Sequence, residues 1–185
     1  MSTTAVFIDG GPLYDIIQAR ACSTDLDYAT LIRNIAAPGD VVSSTFYIAP
    51  LPAQAYPQRA ERVESILTSI ASQGITVRIG RTEIFESAWI DRGIEAMMAA
   101  DITKAAHDAD VDTILVVSQR VDLVPVVEAA REVGKTVHVA FFVNYVIDTP
   151  TELSYAAAEF REITNEDIVP LIQSGPAPYP PVLVS

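Results

Sequence analysis

Basic residues are scarce in this chain: 12 Lys and Arg stand against 24 Asp and Glu, leaving a formal charge of −12. A broad, sequence-independent grip on nucleic acid needs many cations set against phosphates, so any nucleic-acid contact must be local. The acidity reads first as a source of solubility. The single cysteine, Cys22, excludes an intrachain disulfide and fits a reducing compartment. No apolar run reaches the ~18–20 residues needed to cross a bilayer; the longest, Val137–Ile147, is interrupted by His138 and Asn144. Met1–Thr4 carry no basic region and Asp9 breaks the first apolar run, so no secretory leader is expected. These absences describe a soluble, cytoplasmic protein with no membrane association.

Several familiar chemistries are missing too. Gly10 and Gly11 are not followed by the Gly-Lys-Ser or Gly-Lys-Thr ending whose lysine and hydroxyl hold phosphate and magnesium, and the glycine pattern of a dinucleotide site is absent. The two histidines, His107 and His138, have no Cys or His partner at zinc spacing. They read as a solvated helix-end residue and a strand residue. No serine sits in a Gly-x-Ser-x-Gly elbow. What remains is carboxylate chemistry.

With 185 residues, half of them apolar, the chain is long enough for one domain with a full core. Ala5–Ile8 is an apolar strand ending at Asp9-Gly10-Gly11-Pro12, followed by a helix over about Pro12–Ala19. Asp9 taken alone is as well explained by a turn or cap as by a site. Asp25 or Asp27 caps a helix through Ile35, stopped by Pro38 and Gly39. Val41–Ala49 is a strand, and Pro50, Pro52 and Pro57 mark a loop. Gln58–Ser72 is an amphipathic helix ended by Gly74, and Ile75–Ile79 is a strand. Arg81–Asp91 holds the only tryptophan, Trp89, which reads as packing over the end of the core or as a platform for a nucleobase. After Asp112–Val117 come a helix over Val124–Val133 with Gly134 as its cap, a strand over Thr136–Phe142, a helix over Thr149–Glu159, and a short edge strand over Phe160–Ile163. Strands separated by helices imply a mainly parallel sheet of five or six strands. The stretch from Gly175 is too proline-rich for a packed element and reads as a tail that could dock a partner.

The stretch from Ile94 to Leu123 reads as a site. Ile94, Met97, Met98, Ile102 and Ala105 recur at helical spacing over Arg92–His107, and Asp101 falls inside their apolar arc. A carboxylate aimed inward must meet a cation, donors or a wet cleft. Asp112–Val117 is a buried strand, after which come Ser118, Gln119, Arg120, Val121 and Asp122. Residues past the carboxyl ends of parallel strands line the ligand cleft of open α/β sheets, so Asp101, Arg120 and Asp122 are expected in one pocket. Glu95, in the first turn of the same helix, can reach it, and Asp9 ends the first strand. Oxygen ligands of this kind suit Mg²⁺ or Mn²⁺ and the hydrolysis of a phosphodiester.

Three segments in order resemble the NYN domain family, the DUF88-like branch of PIN-type nucleases. FIDGGPLY, Phe7–Tyr14, is similar to that family's strand followed by Asp-Gly-x-Asn. RGIEAMMAAD, Arg92–Asp101, is similar to its Lys-Gly-x-Asp helix, and SQRVDLVP, Ser118–Pro125, to its late Ser-Gly-Asp-x-Asp-Phe-x-Pro motif. The strand GKTVHV and the closing ELSYAAAEF extend the likeness over about residues 4–165. The resemblance implies a PIN-like three-layer α/β/α sandwich at 1–165 followed by a C-terminal extension at 166–185, with divalent-metal-dependent cleavage of RNA. It also implies metal ligands at Asp9, Glu95, Asp101 and Asp122. Three positions depart from the family: Pro12 stands where it usually has Asn, Glu95 where it has Asp, and Arg120 where it has the first aspartate of the late motif.

Two functions follow as expectations. One is an endoribonuclease holding Mg²⁺ or Mn²⁺ on Asp9, Glu95, Asp101 and Asp122, with Arg120, Ser118 and Gln119 against the RNA. The other is a catalytically degenerate relative, a regulatory or scaffold protein binding a protein partner or a second copy of itself. In that case Arg120 neutralises the cleft by pairing with Asp122 or Asp101.

Overall fold

The computed structural model describes residues 2–14, 26–53, 56–85, 88–143 and 151–173. Strands β1 (Thr3–Asp9), β2 (Asp40–Ile48) and β3 (Thr76–Ile79) are separated by helices α1 (Tyr28–Ala36) and α2 (Pro57–Ser72). A hairpin of β4 (Arg81–Phe85) and β5 (Ala88–Arg92) leads into α3 (Ile94–Ala106). There follow β6 (Thr113–Val117), a 3₁₀ turn (Val121–Leu123), α4 (Val124–Glu132), β7 (Thr136–Phe142), α5 (Glu152–Ala156), β8 (Glu159–Ile163) and α6 (Asn165–Ile168).

The main sheet has six strands in the order β3-β2-β1-β6-β7-β8, and every pairing is parallel. Alternation along each central strand divides its side chains between two apolar cores. Val6 and Ile8 of β1, with Leu115 and Val117 of β6, join Leu31, Ile32 and Ile35 of α1 and Ile66 and Ile70 of α2. Ala5 and Phe7, with Ile114 and Val116, join Met98 and Ile102 of α3, Val127 of α4 and Leu153 of α5. The result is the expected α/β/α sandwich. Ile168, Leu171 and Ile172 fold back onto the first core, so packed chain continues to the end of the described residues.

Local chemistry sets the ends of the elements. Of the two candidate caps for α1, Asp27 is the one seen: its carboxylate accepts from Thr30 N at 2.8 Å, whereas Asp25 lies outside the described residues. Pro57 belongs to the first turn of α2, where a missing N–H costs nothing, rather than to the loop before it. The helix expected over Pro12–Ala19 is represented by helical residues 10–14, and the remainder lies outside the described residues. Cys22 and the proline-rich tail lie outside them as well. Among the described residues, no helix is long and apolar enough to cross a membrane.

Candidate functional site

The strand order reverses between β1 and β6, and open α/β sheets place their ligand cleft at such a switch point. Asp9 ends β1 here, its side chain buried, with Gly11 N donating to its Oδ1 at 3.3 Å. The turn after it passes tight against β2: a Cβ on Gly10 would lie 2.1 Å from Cε1 of the buried Phe46. Only glycine allows that approach.

Arg120, just beyond β6, fills the space between the carboxylates. Its Nε donates to Asp9 Oδ2 at 2.5 Å, its Nη1 to Glu95 Oε1, and its Nη2 to Asp91 Oδ2 at 3.4 Å. Ser118 Oγ accepts from Arg120 N at 3.2 Å, which holds the loop that carries the guanidinium. Burial pushes the Asp9 carboxyl above its ordinary value, and the Arg120 charge pulls it only part of the way back. Arg120 is itself pushed up: burial opposes its charge, and Asp9, Glu95 and Asp91 together more than offset that. The contact at 2.5 Å and the constant charge of a guanidinium make this an ionised pair at neutral pH.

A cleft of about 910 Å³ opens above the cluster. Its floor and rim include Asp91, Glu95, Arg120 and Asp122, and its walls include Ile48, Pro50, Leu51, Val63 and Trp89. Asp9, Asp91, Glu95 and Asp122 against the two guanidiniums of Arg120 and Arg92 leave the cleft net negative, which disfavours an incoming phosphate. Trp89 is half-exposed on the cleft wall, with Tyr56 packed edge-on at 5.4 Å, and belongs to neither core.

Asp101 does not join this group. Tyr47 Oη donates to its Oδ2 at 2.8 Å, Arg78 Nη1 lies 2.9 Å from Oδ2, and Lys104 Nζ lies 3.2 Å from Oδ1. Six residues along a helix amount to about 9 Å of rise and about 240° of rotation, so Glu95 and Asp101 on α3 face different surroundings. Asp101 instead clamps α3 to β2 and β3. Burial, then the Asp101 carboxylate, raises the Tyr47 hydroxyl above its usual range. The expected shared pocket of Asp101, Arg120 and Asp122 thus separates: Arg120 and Asp122 share the cleft and Asp101 lies outside it. Ser118 and Gln119 do not line the cleft either, and the buried Gln119 Nε2 has no acceptor among the described residues.

Asp91 is the residue that sequence reasoning missed. Its register opposite Thr82 in the β4–β5 hairpin aims it at the cleft, and Thr82 Oγ1 both reaches its Oδ1 at 3.4 Å and anchors the hairpin to Ala49 O at 3.0 Å. Ala-Trp-Ile-Asp-Arg over Ala88–Arg92 has no polar/apolar alternation, so no local pattern in the sequence announces it.

Mg²⁺ and Mn²⁺ take near-octahedral shells of oxygen. In this arrangement the inward oxygens of Asp9 and Glu95 are turned onto Arg120. Among the described residues, no three Asp, Glu, His or Cys side chains are grouped to hold an ion. As arranged, the residues fit a guanidinium and not a divalent cation.

An all-parallel six-stranded sandwich with acidic groups at its switch point defines a PIN-like α/β/α protein. The chain belongs to the NYN domain family, whose model matches residues 3–164. It is similar in fold to a crystal structure of a protein of unknown function from Vibrio parahaemolyticus, with 20% identity, a TM-score of 0.62, and coverage of 90% of this chain and 95% of that one. No curated protein matches it.

Proposed function

We propose that this chain is a non-hydrolysing NYN-domain protein, acting as a regulatory or scaffold component, whose acidic cleft carries a built-in cation. The observation that supports it is Arg120, which stands where the family resemblance places an aspartate and donates to Asp9, Glu95 and Asp91 at once. A metal ion would have to displace a guanidinium whose pairing with Asp9 alone is worth about 4 kcal/mol at ~4 Å and an effective dielectric of ~20, before desolvation. The net negative cleft also gives RNA phosphate little reason to enter.

The convergence of Asp9, Asp91 and Glu95, with Asp122 on the rim, supports a second reading, a Mg²⁺- or Mn²⁺-dependent ribonuclease. Calorimetric titration with Mn²⁺ and an assay of single-stranded RNA cleavage separate the two. Under the first reading the wild-type chain gives no binding heat and no cutting, while Arg120→Asp, which turns the cation into a fourth carboxylate, gains Mn²⁺ binding. Metal-dependent cutting by the wild type that disappears in Asp9→Asn would overturn that reading.

A further inference from the structure

The basic residues of this acidic chain are not evenly spread. Arg78 and Lys104 share the single carboxylate of Asp101, and Arg81 and Arg92 share that of Glu83. The second pair of cations, set against one carboxylate, lines one shallow depression of about 340 Å³ together with Ile79, Gly80, Gly93 and Met97. Arg78 and Lys104 are not part of its lining.

Two features leave this surface incomplete. Arg81 and Arg92 are directly opposite each other across the antiparallel hairpin, an arrangement in which like charges repel. Each guanidinium has five N–H donors, so one Glu83 carboxylate cannot occupy the about ten that the pair presents. Beside them Ile79 is 58% exposed, and Phe85, two residues past Glu83, is 66% exposed. An apolar hollow rimmed by excess positive charge is the usual form of a recognition surface.

We propose that this ledge of β3, the hairpin and α3 docks an acidic, aliphatic segment of a protein partner, seating one aliphatic side chain between Ile79 and Met97 and its neighbouring carboxylates on Arg81 and Arg92. Charge complementarity selects the occupant. A second copy would set the same two arginines against themselves if it bound symmetrically. Single-stranded nucleic acid wants planar stacking partners, whereas the hollow offers isoleucine and methionine. A long polyanion also meets the field of the whole −12 chain, which a segment with two or three carboxylates feels far less. The inference goes beyond the cleft, and Arg81 lines only the ledge, so its failure leaves the cleft reading standing.

Fluorescence anisotropy with a labelled peptide of alternating Asp and Leu tests it on the full chain. The expected result is saturable binding at low salt that weakens about tenfold in Arg81→Glu, as rim charge reversal does at steered interfaces, and is unchanged in Arg33→Glu on α1. A peptide of alternating Asn and Leu is expected not to bind. Absence of peptide binding, equal binding by Arg81→Glu, or preferential binding of labelled oligouridylate at the same surface would each overturn the proposal.

Discussion

Replacing Arg120 by Met keeps the aliphatic stem and removes the one cation among three carboxylates. Asp9, only 3% exposed, would then keep the Gly11 N–H at 3.3 Å as its remaining donor. Removing one partner of a buried pair typically costs about 3–5 kcal/mol; because Arg120 is a quarter exposed and its outer partners more so, about 2–4 kcal/mol is expected at neutral pH. For a chain of this size that corresponds to a melting temperature lower by roughly 5–15 °C. The pH dependence has a definite sign. A carboxyl whose folded pKa is raised contributes most below its unfolded value near 3.8 and loses that contribution as pH rises through the folded value. Losing Arg120 raises the Asp9 value further, so the deficit of the variant should shrink on acidification toward pH 4. With the carboxylates released, Mn²⁺ should stabilise the variant and leave the wild type unmoved. Thermal denaturation at several pH values, with and without Mn²⁺, measures all of this. A variant as stable as wild type, or a deficit that grows on acidification, would refute the reasoning.

Three further substitutions test the frame that carries the site. Asp27→Ala removes the α1 cap and should cost about 1 kcal/mol by urea denaturation; because the Thr30 hydrogen bonds hold the Asp27 carboxyl below its ordinary value, the gap to wild type should close as pH falls through and below 3.8. Gly10→Ala forces the buried Phe46 ring to move and should cost about 1–3 kcal/mol, while Gly74→Ala, where nothing lies within 4 Å and only a φ of +82° resists, should cost less.

The parallel core was legible because its strands are continuous apolar runs. Ala5–Ile8 and the Val-rich stretch ending at Val117 cannot be read as half-solvated strands, and each falls where the sheet is buried on both faces. The helix expected over Thr149–Glu159 is shorter, Glu152–Ala156, because the chain turns extended to make β8 beside β7. The hairpin passed unnoticed since Glu86-Ser87 is not one of the glycine-containing pairs that announce a tight turn, and Asp91 went with it. Asp101 shows a different limit. Its place in an apolar arc correctly implied an inward carboxylate, yet helical periodicity says which way a residue faces and not which neighbours wait there. Those were Tyr47 and Arg78, from strands far back in the chain.

The ion pair between Asp9 and Arg120 joins residues 111 positions apart. A growing polypeptide therefore presents Asp9 long before its counter-charge has been synthesised. Until β6 arrives beside β1, that flank of β1 is an open row of backbone donors and acceptors, the kind of edge on which nascent chains adhere to one another. An ionised side chain at the end of that row resists such adhesion, and it is silenced only when the late segment delivers its guanidinium. In the finished fold the same carboxylate ties the end of β1 to the segment that follows β6.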